Sequence, residues 1–146
     1  MFKSILIVCT GNICRSPMAE IMFAQLLEET DIKISSAGLG ALVDHPLEST
    51  ALAVLAQHGK TPPVHKARQL TPAMLGDADL VLVMEKRQLS SVLQLSSEAR
   101  GKVFLLGKWQ DEREIPDPYR QGRAAFEHAH ALIKEAVQAW ATRLTP

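Results

Sequence analysis

Residues 4–17 read Ser4-Ile5-Leu6-Ile7-Val8-Cys9-Thr10-Gly11-Asn12-Ile13-Cys14-Arg15-Ser16-Pro17. The unbroken apolar run within Ser4–Val8 marks a strand buried on both faces, because alternation disappears once a sheet is covered on either side. Pro17 stands where a helix accepts its first residue, with Ser16 placed to cap it. Glu20 then falls in the first turn, facing the positive end of the dipole. The spacing predicts a helix running to about Glu29. A loop joining a strand's carboxyl end to a helix N-terminus is where free amides and the helix dipole favour an anion.

The remainder of the chain repeats this alternation. A second strand is expected over Ile32–Ser36, and a second helix over Leu47–His58, stopped by Gly59. Thr71-Pro72 opens a short helix, Leu80–Val83 reads as a third strand, and Lys86–Leu95 as a helix. Val103–Leu106 reads as a fourth strand. Over Arg123–Arg143, Phe126, Ala129, Ile133, Val137 and Trp140 recur on one helical stripe, so Trp140 reads as core. This order predicts an α/β fold: a doubly wound four-stranded parallel sheet flanked by helices, with ligands at the carboxyl ends of its strands. With no repeat, linker or low-complexity tract, residues 1–146 read as one domain.

Apolar residues make up 47% and charged residues 22%, which is a globular composition. Sixteen basic residues balance sixteen acidic ones, and that argues against a nucleic-acid partner, which would need clustered Lys and Arg. No segment approaches the ~18 apolar residues of a membrane span, and the first run is too short for a signal-peptide core. A cytoplasmic protein is expected. Two cysteines are too few for a disulfide scaffold. Of the five histidines, His128 and His130 point to different helix faces, and His45, His58 and His65 are scattered, so no metal is expected. Nothing calls for a cofactor or a dimer, and a monomer is expected.

The loop after the first strand carries the chemistry. Gly11 allows the backbone to curl, and a loop of about seven residues, Thr10 to Ser16, can wrap its amides around a tetrahedral oxyanion. Cys9 and Arg15 stand six positions apart, which on a curled loop sets a sulfur below the anion and a guanidinium fork beside it. Positive surroundings favour the thiolate of Cys9, and hence a nucleophile. The loop lacks the Lys of a GxxxxGK[ST] motif, which disfavours nucleoside triphosphates. A free cysteine at a strand end is also a common small core residue, and Cys-x5-Arg alone does not separate the two. Ser16 has two compatible roles, helix cap and hydrogen-bond partner of the Cys9 sulfur. Asn12 can fix the loop by bonding its own backbone. Cys14 is either buried filler or a redox partner of Cys9.

Expelling an alkoxide or phenoxide requires a proton. Glu114-Ile115-Pro116-Asp117-Pro118-Tyr119-Arg120 offers Asp117, held between two prolines beyond the fourth strand. It can serve as general acid, or the Pro-Asp-Pro run can be a tight surface turn. Tyr119, the single tyrosine, can flank a flat aromatic substrate or pack on the fold.

Cys9-Thr10-Gly11-Asn12-Ile13-Cys14-Arg15-Ser16-Pro17 together with Asp117-Pro118-Tyr119 resembles the low-molecular-weight protein tyrosine phosphatases. The resemblance covers nearly the whole chain, including Ser35-Ser36-Ala37-Gly38 and His65-Lys66-Ala67-Arg68-Gln69. It implies a phosphate loop from Cys9 to Ser16, Asp117 as general acid, and a hydrogen-bond network of Asn12, Ser16, Ser36 and His65 holding the loop. Met84-Glu85-Lys86-Arg87, Gly101-Lys102-Val103 through Trp109, and Glu114–Arg120 are similar to the bacterial branch linked to capsule and exopolysaccharide export. That similarity implies a tyrosine autokinase of the export machinery as substrate. Two departures stand out. Arg120 occupies the place of a second tyrosine in animal members, and Leu42 that of an aromatic on the opposite substrate wall.

Two rival readings share the loop. An arsenate reductase of this fold passes oxidation to downstream cysteines, and none follows Cys14. A non-catalytic phosphotyrosine- or anion-binding module needs no acid such as Asp117.

Overall fold

The computed structural model describes residues 2–145. Four strands, β1 (Ser4–Cys9), β2 (Lys33–Gly38), β3 (Leu80–Val83) and β4 (Val103–Leu105), form one parallel sheet in the order β2-β1-β3-β4. Five helices connect and cover it: α1 (Arg15–Leu26), α2 (Ser49–Gln57), α3 (Pro72–Asp77), α4 (Lys86–Leu95) and α5 (Arg123–Leu144). The chain leaves β1 toward β2 on one side and returns to β3 on the other, so the end of β1 is the topological switch point where α/β sheets bind ligands.

The strand period of two distributes the apolar run of β1 between two cores. Ile5, Ile7 and Cys9 face the layer that holds α1, α2 and α5. Leu6 and Val8 face the layer of α3 and α4. The expected stripe of α5 is buried throughout, and Trp140 donates its indole N–H to the Leu106 carbonyl at 2.8 Å.

Element ends depart from expectation for local reasons. Helix α1 begins at Arg15, so Ser16 lies inside its first turn and makes no cap; the flanking Cys14 makes no side-chain cap either. Pro17 is third in the helix, where a missing N–H still costs nothing because first-turn amides have no intrahelical acceptor. The helix stops at Leu26 because Glu28, Glu29 and Asp31 would crowd negative charge onto its negative end. Strand β2 starts and ends later than expected, since Ala37 and Gly38 pair with Val8 and Cys9. Helix α2 starts at Ser49, where the Glu48 carboxylate accepts from the Thr50 and Ala51 amides. Gly59 follows it with φ +77°, as a terminating glycine should.

Candidate active site

The loop between β1 and α1 is built by its carbonyls. Those of Cys9, Thr10, Gly11 and Ile13 accept from the amides of Leu39, Gly40, Leu42 and Glu48, all at 2.9–3.1 Å. The Cys14 carbonyl accepts from Met18, and that of Asn12 from His65 Nε2 at 2.6 Å. A carbonyl only accepts, so this bond sets the proton of His65 on Nε2. With every carbonyl from Cys9 to Cys14 engaged outward, the trans peptide planes turn their N–H groups the opposite way. Among the described residues, the amides of Thr10, Gly11, Ile13, Cys14, Arg15 and Ser16 meet no protein acceptor. Six such donors at a helix N-terminus suit a tetrahedral oxyanion.

The curl is achieved differently from the sequence expectation. Asn12, not Gly11, takes the left-handed backbone, at φ +60°. Its side chain does not bond its own backbone but reaches across the fold. Asn12 Nδ2 donates to Ser16 Oγ at 2.8 Å and to Ser36 Oγ at 3.0 Å, and Oδ1 accepts from the Arg68 amide at 2.9 Å. Ser36 in turn donates to Glu20, which therefore serves this network rather than the first turn of the helix. The glycine that the loop requires is Gly38, where a Cβ would lie 2.5 Å from the Thr10 carbonyl oxygen.

Cys9 is buried, with its Sγ 2.9 Å from Ser16 Oγ and 3.3 Å from the Asn12 amide. Because Ser16 Oγ already accepts from Asn12, its own hydrogen is free for the sulfur. With the Asn12 amide and that hydroxyl both able to donate, the surroundings suit a negative sulfur. Cys14 is buried too. Burial pushes its thiol far above the ordinary range, the negative charges of Glu48, Cys9 and Asp117 add to the effect, and Arg15 opposes it.

Arg15 is 1% exposed. One guanidinium nitrogen donates to Glu85 at 2.6 Å and to the Ile115 carbonyl at 2.7 Å, while the other stands 3.8 Å from Asp117. Glu85 carries no signal of this role in the sequence, where it lies 70 residues from its partner. Burial raises its carboxyl, but the hydrogen bond and charge of Arg15, helped by Arg87, outweigh this and hold it below the usual carboxylate range. At the start of α4 the Gln88 side-chain oxygen accepts from the Glu85 amide at 2.9 Å and from the Met84 amide at 3.0 Å. Gln88, equally silent in the sequence, is buried and donates to Thr10 Oγ1 at 3.1 Å, so the head of α4 grips both ends of the loop.

Asp117 is 44% exposed at the rim, its second oxygen accepting from the Tyr119 amide at 3.1 Å. The Pro-Asp-Pro run is not itself a turn, the turn falling just after it at Tyr119-Arg120, and the Asp117 carboxylate lies at the edge of the cradle. Cys9, Arg15 and Asp117 line one cavity of about 200 Å³ together with Leu42 and Tyr119. Among the described residues no cluster of His, Cys, Asp or Glu is arranged to hold a metal ion.

A family model for low molecular weight phosphotyrosine protein phosphatases matches residues 4–146. The chain belongs to that family. It is 45% identical over 144 residues to the low molecular weight protein-tyrosine-phosphatase Etp of Escherichia coli K12, covering 99% of this chain and 96% of that one. The crystal structure of the tyrosine phosphatase Wzb from E. coli K30 in complex with sulphate superposes with a TM-score of 0.95 at 44% identity, covering 99% and 100% of the two chains. That of the Erwinia amylovora tyrosine phosphatase AmsI gives 0.95 at 42%, covering 100% and 95%. This phosphatase is therefore an α/β protein-tyrosine-phosphatase, as its sequence led us to expect.

Proposed function

We propose that this single-domain phosphatase hydrolyses phosphotyrosine through a phosphocysteine on Cys9, without metal or cofactor. The observation that carries the reading is the set of six loop amides without a protein acceptor, next to a sulfur within hydrogen-bond distance of the Asn12 amide and the Ser16 hydroxyl. The amides of Thr10 to Ser16 and the free edge of Arg15 bind the phosphoryl oxygens. Cys9 Sγ attacks phosphorus in line, the bond to the tyrosyl oxygen breaks, and Asp117 gives its proton to that oxygen. Asp117, now a carboxylate, takes a proton from water as the water attacks phosphocysteine. The P–S bond breaks, phosphate leaves, and the Ser16 hydroxyl steadies the departing thiolate. Asn12, Ser36 and His65 keep the loop in shape, and Leu42 and Tyr119 flank the substrate ring. Most of the catalysis is positioning and charge stabilisation.

The resemblance to the bacterial export branch supports a tyrosine autokinase of exopolysaccharide or capsule export as the substrate, met in the cytoplasm by a monomeric enzyme. An arsenate reductase would need a further cysteine after Cys14, and the chain has two cysteines in all.

Asp117→Asn tests the acid role. It should lower turnover of phosphotyrosine by ~10²-fold or more, but far less for p-nitrophenyl phosphate, whose leaving group needs little protonation. Equal losses on both esters would remove Asp117 from the role. Cys9→Ser should bind phosphate and turn nothing over; residual activity would end the phosphocysteine route.

A further inference from the structure

Beside the catalytic mouth stands a cation that the mechanism does not use. Pro118 to Gln121 form a turn closed by the Gln121 amide on the Pro118 carbonyl at 2.9 Å, and Arg120 takes its third place with φ +63°. That place favours glycine or asparagine, because a larger side chain crowds the backbone there. A local conformational cost of this kind is retained where something depends on the side chain. The Arg120 guanidinium lies over the Tyr119 ring, its carbon 5.1 Å from the ring centre. Tyr119 lines the same cavity as Cys9 and Asp117, so the stacking holds the charge at the mouth.

The charge is also uncommitted. Arg15, Arg87, Arg113 and Arg123 each have a carboxylate within 4.0 Å, whereas among the described residues Arg120, like Arg68, Arg100 and Arg143, has none; Arg68 and Arg143 donate to backbone carbonyls instead. Asp117, in the same segment, is engaged by the Tyr119 amide and faces Arg15. Arg120 is not part of the cavity lining, but it lies over Tyr119, which is.

We propose that Arg120 is a specificity residue that reads a second anionic group on the substrate chain, next to the phosphotyrosine: an acidic side chain or a second phosphotyrosine. A guanidinium fork matches carboxylate and phosphate oxygens equally well. The contact is solvent-exposed, so it contributes modestly and is screened by salt. It acts on capture of substrate and belongs to KM rather than kcat. The inference rests on the catalytic reading of the same mouth given above.

The test compares kcat/KM for three phosphotyrosyl peptides: one flanked by alanines, one by glutamates, and one carrying an adjacent second phosphotyrosine. The wild-type enzyme should favour at least one anionic peptide over the alanine peptide by roughly twofold to fivefold at low salt, with the preference fading at about 0.5 M salt. Which arm shows the gain identifies the anion. In Arg120→Met the ratio should fall to near one, and Arg120→Lys should keep part of it. Arg120→Gly separates recognition from folding: it relieves the turn, so its thermal midpoint should not fall, yet its ratio should match that of Arg120→Met. A wild-type ratio near one for both anionic peptides, or an undiminished ratio in Arg120→Met, overturns the inference and leaves the catalytic reading standing. Failure of the wild type to hydrolyse any of the three overturns both.

Discussion

His130 offers a direct measure of what burial does to a titratable group in this fold. It is 2% exposed on the inner stripe of α5, and its Nε2 has no hydrogen-bond partner among the described residues. Its ring stacks on His58 with centroids 4.0 Å apart. Burial, with His58, Lys60 and Lys134 nearby, drives it from 6.5 to about 4, and the Glu127 carboxylate only partly compensates. The folded form therefore holds His130 neutral while the unfolded chain binds a proton below pH 6.5. Its contribution to stability is full above that value and is lost as the pH falls toward 4. The linkage between these two values amounts to a loss of roughly 2 kcal/mol between pH 7 and pH 4.5. Glu85 also weakens on acidification, since its folded carboxyl lies low, but that loss is common to wild type and variant and cancels in their difference. Urea unfolding of wild type and His130→Leu across this range isolates the effect. The stability advantage of wild type over variant should shrink, or turn further against it, by about 2 kcal/mol from pH 7 to pH 4.5. A difference constant to within about 0.5 kcal/mol would refute the burial argument.

Glu85→Gln keeps an acceptor for Arg15 but removes its counter-charge; it should cost about 2 kcal/mol of stability and roughly tenfold in kcat/KM. Unchanged denaturation and kinetics would mean that Glu85 does not position Arg15. After peroxide treatment, wild-type activity should return with a thiol reductant, whereas Cys14→Ser should recover poorly because oxidised Cys9 then lacks a trapping thiol. Equal recovery would leave Cys14 as a core residue only.

Much of the framework is legible in the order of residues alone. The run Ile5–Val8 needs no distant information, because a short, mainly β-branched apolar run ended by Thr10-Gly11-Asn12 fits a strand buried on both faces. The α5 stripe is legible for the same reason, and all five of its expected residues are buried. The proposed nucleophile, its arginine and the proposed acid stand out by residue type and spacing, but the likeness to a family is what favours those roles over a core cysteine and a surface turn. The remaining wall and network residues, Leu42, Ser36 and His65, are legible only through likeness to a family. Local expectations fail where a neighbour distant in sequence intervenes. Ser16 looks like a cap, but its hydroxyl is taken by Asn12 and Cys9. Gly11 looks like the residue that lets the loop turn, but Asn12 turns it, held from three sides by Ser16, Ser36 and Arg68.

By itself, then, the chain's residue order determined the alternation of strands and helices, the place of the loop and the chemical groups it carries. Those follow from hydrophobic period and backbone sterics, which act over a few residues. Only the folded chain decided how the groups are held: Glu85 against Arg15, Gln88 against Thr10, and His65 against Asn12. Such partners are separated by tens of residues, and no local preference encodes which carboxylate meets which guanidinium. The packing of α4 and of the 39–48 and 65–68 segments around one strand end brings them within bonding distance.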